Sequence, residues 1–182
     1  MLIGTTIQPP RTMMEVFDSL PEGTLIQLIE NNLVMSPAPT DRHQWIVIEI
    51  GAELRNFIKA TKKGTVRVSP YDVYFDNENV FQPDITFISN GRKHLIRENG
   101  LHGAPDLIIE ILSPATAKYD LNEKKAVYEC YGVTEYWVVD PADNSTNGFY
   151  LVQDEYHEFF KGTGVIESKL LGWKLDFVAE SL

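Results

Sequence analysis

The chain has 182 residues, 43% of them hydrophobic and 23% charged, which is enough apolar material for one core and not the composition of a disordered protein. Sixteen basic against 26 acidic residues leave a net charge of −10, which argues against the broad basic face that nucleic-acid binders usually carry. No stretch reaches the ~20 apolar residues of a membrane span, no basic-then-apolar leader opens the chain, and Cys130 is the single cysteine. A cytoplasmic protein with no membrane partner, no internal disulfide and no zinc cluster is expected. One domain over residues 1–182 fits the length.

In chain order, residues 1–20 read as a lead-in in which Pro9-Pro10 opens into a short helix capped at Thr12, with Glu15 three residues on. Leu25–Ile29 and Leu33–Met35 form a strand pair (25–35) turned by Asn31-Asn32, and Ser36-Pro37-Ala38-Pro39-Thr40 breaks the pattern. Asp41 is the expected cap of a long helix to about Thr61, whose apolar stripe is Ile46, Ile50, Leu54 and Phe57. Gly64 ends it. Thr65–Val68 and Val73–Phe75 alternate as strand, with a kink at Ser69-Pro70. Asp76-Asn77-Glu78-Asn79 is a turn, and Val80–Ile88 is the next strand. Residues 89–104 read as a polar loop with one helical turn. Leu107–Leu112 is a continuous apolar run, the pattern of a strand covered on both faces. A second helix covers about Asp120–Tyr131 and stops at Gly132. Tyr136–Val139 is a buried strand, and hairpin-like strands fill 147–177. The fold class is α/β: a mixed sheet flanked by helices, with added strands at both ends and a core over about 41–141.

Glu110 is the most informative position, because a carboxylate inside Leu-Ile-Ile-Glu-Ile-Leu needs a metal or an ion-pair partner once buried. Asp84, in Gln82-Pro83-Asp84, is either ordinary turn chemistry or the second carboxylate, converging from a neighbouring strand ~4.8 Å away. Two such oxygens suit Mg²⁺, which takes one or two carboxylates plus waters and substrate phosphates. Asp106 lies four residues before Glu110, roughly 13 Å away along a strand at ~3.3 Å per residue. It opens the strand and cannot share the ion. On the second helix Asp120, Lys124, Tyr128 and Tyr131 share one face, so Lys124 is either half of a surface pair with Asp120 or the cation near a scissile phosphate. His43 lies on the apolar side of the long helix, where a hydrogen-bonded core role competes with a site role. Glu53 borders the same stripe as a further carboxylate candidate. Tyr136, Trp137 and Trp173 are core aromatics.

Ser36-Pro37-Ala38-Pro39 with His43, then Gln82-Pro83-Asp84, then Gly103 through Pro114 (Gly-Ala-Pro-Asp-Leu-Ile-Ile-Glu-Ile-Leu-Ser-Pro), resemble the Uma2 family of endonucleases. The match continues through Asp120, Lys124, Tyr128, Gly132-Val133 and Glu135 to Pro141, so it covers nearly the whole chain from about residue 25. The resemblance implies a restriction-endonuclease-like fold of the PD-(D/E)XK superfamily (αβββαβ core) and phosphodiester hydrolysis dependent on Mg²⁺, with Mn²⁺ as substitute. It places the metal-holding carboxylates at Asp84 and Glu110. The superfamily lysine would fall on Leu112, and Lys124 on the helix stands in as the third catalytic group. His43, Glu53, Gln82, Asp120 and Tyr128 are supporting candidates. Where the family carries Glu near the first strand pair, this chain has Gln27. The implied substrate is DNA before RNA, and cutting both strands needs two sites, hence a homodimer. The competing expectation is a weak or inactive nuclease-fold module that acts through protein contacts, which the acidic charge favours; hydrolysis of another phosphodiester is a third.

Overall fold

The computed structural model describes residues 12–21, 23–114 and 117–177; the Pro9-Pro10 lead-in lies outside them. Helix α1 (Met13–Asp18) starts in a capping box, with the Thr12 hydroxyl accepting from Glu15 N and the Glu15 carboxylate accepting from Thr12 N. Strands β1 (Ile26–Ile29) and β2 (Asn32–Met35) form a hairpin whose turn is Glu30-Asn31, one residue earlier than the expected Asn31-Asn32. Both turn residues have positive φ. The Glu30 N–H is held by the Asn79 side chain and the Asn31 N–H by the Glu78 carbonyl, so a tertiary contact sets this turn.

Helix α2 (Asp41–Thr61) is capped by Thr40 and not by Asp41. The Thr40 hydroxyl accepts from His43 N at 3.3 Å, which leaves Asp41 in the first turn, where its charge suits the helix dipole. Ile46, Ile50 and Leu54 are buried as the stripe requires, but the fourth member is Ile58; Phe57 is partly buried and rests against Trp173. Lys62 ends the helix in the left-handed conformation, and Gly64 begins the next strand. A Cβ at Gly64 would lie 2.2 Å from the Ile88 carbonyl oxygen, so only glycine permits the two strands to approach there.

β3 (Gly64–Val68), β4 (Val73–Tyr74), β5 (Val80–Phe81) and β6 (Ile85–Ser89) follow. The single strand expected over Val80–Ile88 is therefore two, because Pro83 has no N–H for a ladder and breaks the run at Gln82-Pro83-Asp84. The expected loop at 89–104 holds a 3₁₀ turn (Lys93–Leu95) and two strands, β7 (Ile96–Arg97) and β8 (Gly100–His102). Strands of two or three residues leave no periodicity to read. After β9 (Leu107–Ile111), the expected helix is split into α3 (Ala117–Leu121) and α4 (Glu123–Cys130) by a non-helical Asn122. β10 (Glu135–Val139), β11 (Ser145–Val152), β12 (Glu155–Thr163), β13 (Val165–Ser168) and β14 (Trp173–Asp176) complete the chain.

The central sheet has the order β12-β11-β10-β9-β6-β3, with β9 and β10 parallel and the other pairs antiparallel. The N-terminal hairpin goes elsewhere, into a second six-stranded sheet of order β2-β1-β5-β4-β8-β7. On one face of the central sheet, Leu107, Ile109 and Ile111 meet the stripe of α2. On the other, Ile108 joins Ile88, Tyr136 and Val138 against Tyr128 of α4 and Phe81 of the second sheet. The alternation along β9 therefore turns Glu110 toward α4 and the second sheet, away from α2.

Candidate active site

The same alternation applies to β6. Ile85 and Phe87 face α2, so Asp84, one step before the strand, faces the side that Glu110 faces. Ile85 pairs with Ile109 across the ladder, and continuing that register by one residue brings Asp84 opposite Glu110. The two carboxylates are tied reciprocally: Asp84 N donates to Glu110 Oε2 at 3.2 Å, and Ile111 N donates to Asp84 Oδ2 at 2.8 Å. His43 Nε2 stands 3.3 Å from the same Asp84 oxygen.

Helices α3 and α4 supply the rest. Lys124 Nζ lies 2.9 Å from Glu110 Oε1 and 2.7 Å from Asp120 Oδ1, and the Tyr128 hydroxyl donates to Glu110 Oε1 at 2.7 Å. Glu110, Asp120 and Lys124 are each only 2% exposed, so the Asp120–Lys124 pair is not a surface pair. Lys124 is half of a buried ion pair that lines the same cavity as Asp84 and Glu110. Asp84, His43, Glu110, Asp120 and Lys124, but not Tyr128, line a cavity of about 220 Å³ between the Ser36–Thr40 loop and α4, and Gln27, Gln82 and Ser113 also line it.

The charges do not balance within the cluster. Burial pushes the Glu110 carboxyl up to about 7; Lys124 opposes this, while the negative Asp120 and Asp84 add to it. Burial alone would lower the Lys124 ammonium, but the charges of Glu110 and Asp120 outweigh it and hold the pKa above its usual value. His43 follows the same pattern: burial lowers it, the Asp84 hydrogen bond and charge raise it, and the net direction is up.

Asp84, Glu110, Lys124, His43, Gln82, Asp120 and Tyr128 are thus brought together. Glu53 is not; it is exposed on the outer side of α2, because helical rotation carries it past the buried stripe. Tyr131 also leaves the face, 40% exposed and bonded to Asp76. Asp106 opens β9 at the opposite end, held by Ser89 N and Arg92. Gln27, marked in the sequence as standing where the family carries Glu but not counted among the site candidates, is 3% exposed and lines the cavity. Its signal was the one that marked Glu110, a polar residue inside an apolar strand.

Among the described residues, no group of three or more His, Cys, Asp or Glu side chains is placed to hold a metal ion unaided. Two carboxylates fit a hard divalent cation that takes its remaining ligands from water and phosphate. Burial, with the charges of Asp120 and Asp84 behind it, disfavours the ionised form of Glu110, and a cation beside it would favour that form.

A mixed sheet carrying two converging carboxylates and a buried lysine defines a restriction-endonuclease-like protein. The profile of the Uma2 family, described as "Putative restriction endonuclease", matches residues 14–177, and the chain belongs to that family. A solved structure described as a "putative nuclease belonging to DUF820" from Anabaena variabilis is similar over 90% of this chain and 92% of its own, with a TM-score of 0.72 and 21% identity. At that identity the likeness is one of fold. No curated protein matches the chain.

Proposed function

We propose that this protein is a Mg²⁺-dependent endonuclease that hydrolyses phosphodiester bonds, in DNA before RNA. The observation that carries the reading is the meeting of Asp84 and Glu110 from adjacent strands, with Lys124 bonded to Glu110 inside a cavity. Asp84 and Glu110 would hold the metal, with Mn²⁺ able to substitute. The chemistry Mg²⁺ supplies when bound is activation of a water and neutralisation of charge developing on the phosphate. Lys124 keeps its proton and orients Glu110, and its ammonium, paired with Glu110 and Asp120, lines the cavity that a phosphate would enter. Asp120 and Tyr128 hold Lys124 and Glu110 in place. His43 orients Asp84. A homodimer would give the two sites needed to cut both strands.

The test is nicking of supercoiled plasmid in Mg²⁺ or Mn²⁺ by the parent and by Asp84→Ala, Glu110→Ala and Lys124→Ala, each first shown to be folded. Parent activity lost in all three supports the reading. The net charge of −10 favours a second one, a nuclease-fold module that acts through protein contacts. No cleavage by folded parent in either metal would select it.

A further inference from the structure

Asp84 stands in the break between β5 and β6; its carbonyl accepts from Ser69 N just past β3, but its N–H has no backbone acceptor. Pro83 has no N–H, which leaves two backbone donors in Gln82-Pro83-Asp84. Glu110 takes the one from Asp84. The other, Gln82 N, donates to Gln27 Oε1 at 2.9 Å. The opposite end of the same amide, Gln27 Nε2, donates to Ser36 Oγ at 2.9 Å. Backbone pairing between β1 and β5 is the single pair Leu28↔Val80, so the Gln27 side chain continues that contact where the backbone cannot. Gln27, Ser36 and Gln82 all line the cavity that holds Asp84. Buried with both ends of its amide engaged, Gln27 has one geometry available to it.

We infer that Gln27 is a positioning residue: it straps the strand break to the N-terminal hairpin and so sets where Asp84 stands beside Glu110. The second sheet thereby reaches into a site whose carboxylates belong to the central one. That the placement matters to a metal rests on the function proposed above; the placement itself does not.

Amide hydrogen exchange and Mn²⁺ titration of the parent, Gln27→Met and Gln27→Glu test this. Methionine keeps the shape and removes both hydrogen bonds. The expected result is exchange at Gln82 and Asp84 at least ~10-fold faster, with the amides of β9 unchanged, and Mn²⁺ affinity lower by about 10-fold or more. Glutamate can accept from both Gln82 N–H and Ser36 O–H, and is expected to restore the protection. Unchanged exchange at Asp84 in folded Gln27→Met overturns the inference. Faster exchange there in a protein whose parent binds no Mn²⁺ upholds the positioning role and overturns the metal reading. If Gln27→Met fails to fold, Ser36→Ala removes the amide's anchor with little change in packing; several-fold faster exchange at Asp84 supports the inference, and none overturns it.

Discussion

At Glu110 the pKa shift becomes a stability statement. Its carboxyl rises from 4.5 to about 7, chiefly through burial, so between those values the folded chain binds a proton that the unfolded chain has released. The stabilisation is complete below about pH 4.5 and is lost as pH rises through about 7. Urea denaturation at pH 5 and pH 8 should show the parent losing more stability over that interval than Glu110→Gln, which has no such proton to lose. Lys124→Ala acts at the same scale and leaves two buried carboxylates without their cation. Breaking such a pair costs about 3–5 kcal/mol. The measured loss of stability should fall in that range, and a loss near zero would mean that water reaches the pair.

The elements of the site are held by their ends. Thr40 caps α2 through His43 N, so one hydroxyl both starts the helix and fixes the residue that reaches Asp84. Thr40→Ala should cost about 1 kcal/mol in thermal or chemical unfolding. Helix α4 stops at Gly132, whose φ of +76° a side chain adopts only with strain, and the chain then turns into β10. Two elements expected to be continuous, Val80–Ile88 and Asp120–Tyr131, break beside the site: one at Pro83, next to Asp84, the other at Asn122, between Asp120 and Lys124. Pro83, which has no N–H for a ladder, is the local signal of the first break, whereas Asn122 carries no comparable signal within a helical stretch.

Across the whole molecule, Glu135 is the third buried carboxylate among the described residues, after Glu110 and Asp120, and it serves the architecture. Its oxygens accept from Trp137 Nε1 at 2.6 Å and from Leu170 N at 2.7 Å, which ties the turn of the β13–β14 hairpin to the central sheet. Burial raises its pKa, and those donors partly offset the rise. In Glu135→Gln an amide N–H₂ must face one of the two N–H donors, leaving it unpaired at about 1–3 kcal/mol. The expected outcome is lower stability with the metal affinity of the site unchanged; a change in Mn²⁺ binding would show the hairpin coupled to Asp84 and Glu110. A polar residue within an apolar run, at Glu110 and Gln27, or at its start, at Glu135, thus marks three different roles here.

What the sequence determined by itself was the part written in local pattern. The period-3.6 stripe of α2, the doubly covered run of β9 and the αβββαβ order follow from which side chains water rejects, and the carboxylate in that run had to find a partner. Asp84, Lys124, Asp120 and Tyr128 were legible beside it through spacing and motif. What only the tertiary structure decided was long-range. The N-terminal hairpin joins a sheet of its own, because its partners β4, β5 and β8 are too short to announce themselves. Glu53 turns outward, since a border position on a helix is settled by the crossing of α2 over the sheet. Gln27 enters the site because the second sheet sets its amide against the break at Gln82, whose N–H goes to no backbone acceptor, a contact spanning 55 residues.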